Sequence, residues 1–445
     1  MTTFRCVCAW LPQGLSGSVD IVCDETGIIT AIDPAGRAPA DHELPGMVVP
    51  GFADAHSHVF HRALRGRTHS EGATGGEGGS SGTFWTWRQA MYRLAGRLTP
   101  ETFGALAEAT YAELVCAGVT AVGEFHYLHH DQQGRPYADP NLLGLVAVDA
   151  GARAGLAVTL LDTAYLAGGF GSPVTGAQIR FTDGDVGAWA ARVAALPQTV
   201  RHGVAIHSVR AVPPPALSAV VEVARGTPTG VLHVHLSEQP AENEACLAAT
   251  GRTPTALLAE AGALGPHTAP VHATHLTAGD IALLGAARTT VVICPATEAD
   301  LADGLPAAGA LRDAGARLAL GGDQHVLTDP IAAARGLEWG ERLATGRRGT
   351  FTPAELMDAA TVAGHRAIGS PAGRLEVGAP ADLVAVRTDT VRTAGADPGQ
   401  LIMAATAADV AVVVVGGRVQ AMDGLHVRLG DPGRMLVAAV ERVWR

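Results

Sequence analysis

The stretch Pro50-Gly51-Phe52-Ala53-Asp54-Ala55-His56-Ser57-His58 closes an apolar run that begins at Met47, and it ends in two histidines one residue apart. Read as a β-strand, it sends successive side chains to opposite faces, so His56 and His58 share a face and Ser57 points away. Two imidazoles on one face can hold a single metal ion at the strand end. Two hydrogen-bonded histidines in a polar loop would fit the same nine residues, so the reading turns on whether the chain supplies further ligands.

Outward from this strand the chain alternates helices and strands. Thr99-Pro100 pairs a capping hydroxyl with proline at the first helical position, and Phe103, Leu106, Thr110 and Leu114 continue at helical spacing until Gly118. A strand is predicted at 119–127, and further apolar runs at 155–161, 203–207, 230–235, 270–272, 290–294 and 317–321. With the opening stretch there are eight, which is the pattern of a parallel (β/α)8 TIM barrel. Nearly every one ends in or beside His, Asp, Glu, Cys or Tyr, and in such a barrel chemistry sits at the carboxyl ends of the strands. Short strands near both ends of the chain, at 21–23, 28–32, 381–386 and 410–415, predict a small β domain from residues 1–48 and 376–445 around a barrel at 49–375. Residues 71–82 are so rich in Gly and Ser that they belong to no regular element; a mobile lid and a solvated insertion fit them equally.

Bulk properties narrow the function. Hydrophobic residues at 47% and charged residues at 17% describe a chain that buries a large core and exclude a disordered one. A formal net charge of −11 gives no electrostatic reason to approach nucleic acid or an anionic membrane, which leaves small molecules as the expected partners. Six cysteines without a C-x-x-C pair read as reduced core residues of a cytoplasmic protein, and no apolar stretch has the length of a signal peptide or a membrane span. All 32 residues counted as lysine or arginine are arginine, so a lysine base, a Schiff base and a carbamylated-lysine metal bridge are excluded.

A catalytic zinc takes a few N or O ligands and keeps one position for a water whose pKa it lowers. Beyond His56 and His58, the candidate ligands are His233 or His235, His272 or His275, and Asp323, each closing a predicted strand. The order H-x-H, His, His, Asp resembles the amidohydrolase superfamily, as do the stretches 117–122 and 378–384. That resemblance implies a TIM barrel of the amidohydrolase type with a small β-sandwich domain built from both chain ends. The missing lysine sets aside the carbamate-bridged binuclear members, and His235 followed by Glu238 is similar to the mononuclear deaminase branch.

Within that branch, Phe84-Trp85-Thr86-Trp87-Arg88, the segment 124–139, His207-Ser208-Val209-Arg210 and Val271-His272-Ala273-Thr274-His275-Leu276 resemble the formimidoylglutamate deiminase family. The resemblance implies hydrolysis of N-formimino-L-glutamate to N-formyl-L-glutamate and ammonia in histidine degradation, by a cytoplasmic homodimer with one Zn2+ per chain. It implies His56, His58, His235 and Asp323 as ligands, and Glu238, His272 and Asp323 as catalytic groups. Arg88 and Arg210 would bind the substrate carboxylates, with His61, Tyr127 and His207 as supporting contacts. Gly322 and Gln324 stand where that family usually has serines, and Ala296 and Ala299 where it has more polar residues. These departures keep an alternative in view: a mononuclear-zinc enzyme deaminating another amidine, or an aminated heterocycle of the guanine or cytosine type.

Overall fold

The structure is a computed structural model that describes residues 1–36, 39–69 and 83–445; the Gly/Ser-rich loop expected as a lid or insertion lies outside them. Eight parallel strands, Phe52–Ser57, Val119–His126, Ala157–Ala164, His202–Ile206, Leu232–Leu236, Thr268–His272, Thr290–Ile293 and Arg317–Leu320, pair in chain order. A parallel bridge between Ser57 and Asp323 joins the last to the first. The first two strands are buried along their whole length, one face toward the helices and the other toward the barrel interior, which is why they read as continuous apolar runs rather than as an alternation.

The helices start where their caps predict. Thr99 accepts a hydrogen bond from the Thr102 amide and Pro100 opens the helix Pro100–Cys116, whose buried face includes Phe103, Leu106, Thr110 and Leu114. Small side chains fill the barrel interior: Ala55, Ala121, Ala269, Val292 and Ala319 pack against Ala363, Ala367 and Ile368. This plug closes the amino end, because His365 of the same segment bonds the Gly51 carbonyl, just before the first strand, at 3.0 Å. With that end sealed, the opposite end is left for a site.

The two chain ends form one nine-stranded sheet, in which the strand His42–Pro50 pairs with Leu383–Val386 on one side and with Thr2–Leu11 on the other. The expected sandwich takes the form of one continuous sheet that curls over its own core. Ile29, on its far strand, exchanges backbone hydrogen bonds with Gly378 and Ala379, which lead into the strand Leu383–Val386, and Phe4, Ile21, Val48, Leu383 and Val414 pack within the curl. The chain finishes in a helix, Pro432–Trp444, that the strand-based reading of this end does not anticipate. Leu436, Ala439 and Val443 recur at helical spacing and are buried, and the helix packs on Pro100–Cys116; its Trp444 donates to the Ala63 carbonyl at 3.0 Å.

Candidate active site

Three imidazoles and one carboxylate converge at the carboxyl end of the barrel. His235 Nε2 lies 3.2 Å from Nε2 of both His56 and His58, and Asp323 Oδ1 lies 3.4 Å from the same two nitrogens. The tautomers follow from the outer nitrogens. His58 Nδ1 faces the Phe125 carbonyl at 2.8 Å and His235 Nδ1 the His207 carbonyl at 2.9 Å. A carbonyl only accepts, so each Nδ1 carries the hydrogen and each Nε2 turns a lone pair inward. Burial holds all three imidazoles below their usual pKa, hence neutral. Lone pairs gathered this closely repel one another unless a cation sits between them. Tetrahedral ligands at about 2.0–2.1 Å from a zinc-sized ion stand about 3.3 Å apart, so the spacing fits a divalent metal held by His56, His58, His235 and Asp323.

His272 ends the sixth strand with Nδ1 3.4 Å from Glu298 and Nε2 3.7 Å from Glu238. Burial opposes its protonation, but Glu238, then Glu298 and Asp323, raise the imidazole to about 10, so it is a cation clamped between carboxylates. Burial in turn pushes the Glu238 carboxyl up to about 7, the range of a group that can both take and give a proton near neutrality. Ser237, His272, Ala273, Asp323 and His325 all have φ between 48° and 68°. Left-handed backbone at non-glycine residues costs energy, and here it gathers at the strand ends that carry the cluster.

A cavity opens over this cluster. His58, His61, Arg88, Tyr127, His207, Arg210, His235, Glu238, His272 and Asp323 all line it, and His56 sits behind them, fully buried. His61 Nε2 and the Tyr127 hydroxyl are 2.8 Å apart, and His207 packs edge-on against Tyr165. Arg88 donates to the Tyr92 hydroxyl at 2.7 Å and lies over the Trp85 and Tyr92 rings, while Arg210 keeps a buried Nη1 without a partner. The open alternatives resolve on geometry. His233 turns away to bond the Ala367 carbonyl at 2.8 Å, and His275 bonds the Asp303 carbonyl at 2.7 Å, so neither joins the cluster.

Gly322, Gln324, Ala296 and Ala299 are not among the described residues that line this cavity. Gln324 instead donates to Asp300 at 3.1 Å. The departures from the family pattern therefore lie outside the cavity wall.

Several groups went unread in the sequence. Glu124 is buried under the H-x-H turn, where it accepts from Ser57 Oγ at 2.7 Å and from the Val59 amide at 2.9 Å. Glu298 holds His272, and Glu242, Tyr92 and Tyr165 line the cavity. A carboxylate at the end of an apolar strand, as in Val122-Gly123-Glu124, was the available signal for the first; the others sit on helices and loops without a distinguishing spacing.

Fold and site together define a barrel enzyme whose chemistry is mounted at the carboxyl ends of its strands, around a cluster able to hold a metal. The amidohydrolase family model matches residues 47–420. The chain is 35% identical to formimidoylglutamate deiminase of Pseudomonas aeruginosa over 434 residues, 94% of each chain, and 28% identical to 8-oxoguanine deaminase of the same species over 93% of this chain and 91% of that one. A solved amidohydrolase from Brucella melitensis superposes with a TM-score of 0.91 at 30% identity over the full length of both. The chain belongs to the amidohydrolase family, in the group that includes formimidoylglutamate deiminase, and is a hydrolase acting on C–N bonds.

Proposed function

We propose that the enzyme is a zinc-dependent deiminase that converts N-formimino-L-glutamate and water to N-formyl-L-glutamate and ammonia, in the breakdown of histidine. The observation that carries this reading is the make-up of the cavity: His58, His235 and Asp323 of the cluster line it together with Arg88 and Arg210, neither of which has a carboxylate of the protein in salt-bridge contact among the described residues. A substrate with an amidine at one end and carboxylates at the other matches that combination. The full-length similarity to formimidoylglutamate deiminase supports the same assignment.

When bound, zinc supplies an acidified water and positive charge where negative charge develops. The chain's own groups do the rest. Asp323 takes the proton of the attacking water. Glu238 delivers a proton to the nitrogen that departs as ammonia, and His272, held cationic between Glu238 and Glu298, donates to the oxygen being added to the formimino carbon. Arg88 and Arg210 bind the substrate carboxylates, with His61, Tyr127 and His207 shaping the passage between the two ends. The same reading takes one zinc per chain, a catalytic unit at 49–375 with a β unit from 1–48 and 376–445, and a cytoplasmic homodimer with no nucleic-acid or membrane partner; no helix among the described residues is long and apolar enough to cross a membrane.

The similarity to 8-oxoguanine deaminase keeps an aminated heterocycle as the competing substrate. Ammonia release from N-formimino-L-glutamate by the metal-loaded protein is the direct test. No turnover beside good turnover of a heterocycle or another amidine overturns the assignment. Arg88→Ala and Arg210→Ala are expected to raise KM far more than they lower kcat.

A further inference from the structure

The far wall of the cavity contains a hydrogen-bond chain whose direction is set by the groups that begin it. Gln178 is buried, and its Oε1 accepts from the Thr175 backbone N–H at 2.9 Å. A backbone amide only donates, so the Gln178 amide is oriented without ambiguity and its NH2 must face the other way. There it donates to the hydroxyls of Tyr165 at 2.8 Å and Tyr92 at 3.3 Å. Tyr92 also accepts from Arg88 Nε at 2.7 Å, and arginine cannot accept in return.

Both lone pairs of the Tyr92 oxygen are thereby occupied, so Tyr92 cannot accept the proton of a neighbouring hydroxyl. Tyr165 receives from Gln178, and its own proton has no acceptor among the described residues. Burial raises the phenol above its ordinary pKa, so it keeps that proton. Tyr165 is only 2% exposed, yet it lines the cavity beside Arg88 and Arg210, the latter with its own unpartnered Nη1. A buried donor without an acceptor is costly in a finished structure. All of these groups, Arg88, Arg210 and Tyr165, have hydrogens to offer into the cavity.

From this we infer that Tyr165 is a substrate-binding residue: its hydroxyl donates to a carboxylate of the substrate, and Gln178 and Tyr92 are positioning residues, Gln178 by donating to the Tyr165 oxygen and Tyr92 by having no lone pair left to take the Tyr165 proton. The inference rests on the carboxylate-bearing substrate proposed above and names the protein groups that read one carboxylate.

The test uses the full-length, zinc-loaded enzyme with N-formimino-L-glutamate, its two monoamides and its diamide. Tyr165→Phe is expected to raise KM for the dicarboxylate roughly ten- to a hundredfold while leaving kcat within about twofold. That penalty should vanish on the one monoamide that has lost the carboxylate held here. Gln178→Glu is nearly isosteric but puts an acceptor where a donor was, drawing the tyrosine protons away from the cavity, so it should raise KM at least as much as Tyr165→Phe. A purely structural role would not distinguish the monoamides. If wild type separates the dicarboxylate from the diamide and Tyr165→Phe separates them equally well, the role of Tyr165 is overturned while the functional reading stands. If wild type turns over the diamide as well as the dicarboxylate, the carboxylate reading itself fails.

Discussion

Ser57 and Asp323 form the bridge that joins the last barrel strand to the first, and the backbone bonds on either side of it come from the site itself: the His58 amide donates to the Asp323 carbonyl at 3.0 Å, and the Asp323 amide to the His56 carbonyl at 2.8 Å. Three of the four convergent side chains are therefore placed by main-chain hydrogen bonds that also close the barrel. Their positions do not depend on an ion to draw them together.

The first expectation concerns metal removal. A chelator should abolish activity and zinc should restore it, but the stripped protein should keep its far-UV circular dichroism and a cooperative unfolding transition, with a lower Tm. Collapse of the secondary structure on chelation would show that the ion, rather than this backbone closure, holds the strand ends.

Gly322 has a steric reason to replace a serine. A Cβ at this position would stand 2.7 Å from Asp54 Oδ2, and Asp54 Oδ1 already accepts the Gly322 amide at 2.7 Å while reaching the His56 amide at 3.3 Å. Gly322→Ser should displace Asp54, disturb the strand that carries His56, and lower both zinc occupancy and stability, the latter by about 1–3 kcal/mol. Normal metal content and Tm in this variant would contradict the argument.

How much of this was legible in the sequence depends on how local each feature is. His56 and His58 show because a period of two is written in three consecutive residues, and the remaining residues of the cluster show because each closes an apolar run. The choice of His235 over His233 was legible only through the family resemblance, not from the strand pattern: both are histidines of one strand, on the same face by parity, and the distant Ala367 carbonyl claims His233. Glu298, Glu124 and Gln178 escaped for a related reason, since their partners His272, Ser57 and Tyr92 lie 26, 67 and 86 residues away. The curling of the terminal sheet over its own core depends likewise on Ile29 meeting Gly378 and Ala379, which no local pattern announces.

Acid stability should report on a second cluster, beneath the third strand. Arg192 bonds Asp162 at 2.6 and 2.9 Å and Asp183 at 2.9 and 3.0 Å, with all three side chains buried. Burial works against both carboxylates. Arg192 outweighs it at Asp162, as do His130 and Arg192 at Asp183, so both pKa values fall below the ordinary range. A depressed folded-state pKa contributes stability above the unfolded value of about 3.9, and that stability is lost as pH falls through the folded value. Wild type should lose Tm steeply below about pH 4. Arg192→Met, which strands two buried carboxylates, should cost about 3–5 kcal/mol at neutral pH and lose much less on further acidification. An acid limb of unchanged steepness in the variant would sink this assignment.

The last expectation separates the two carboxylates that flank His272. Glu238 lines the cavity, whereas Glu298 is 3% exposed, accepts the Cys294 amide at 2.8 Å and does not line it. If Glu238 carries the proton to the departing nitrogen, Glu238→Gln removes the step itself and should lower kcat by about 10²–10⁴ with zinc retained and KM little changed. Glu298 acts through the imidazole. Glu298→Gln keeps a hydrogen-bond acceptor for His272 Nδ1 but withdraws one of the charges that hold the ring cationic, so it should lower kcat by about tenfold and shift the alkaline limb of kcat against pH downward, because the imidazolium then gives up its proton sooner. A ligand-free crystal structure of Glu298→Gln with His272 in place, together with that shifted limb, separates loss of charge from loss of position. Equal losses of kcat in both variants, with no movement of the pH profile, would mean that Glu298 only packs the ring.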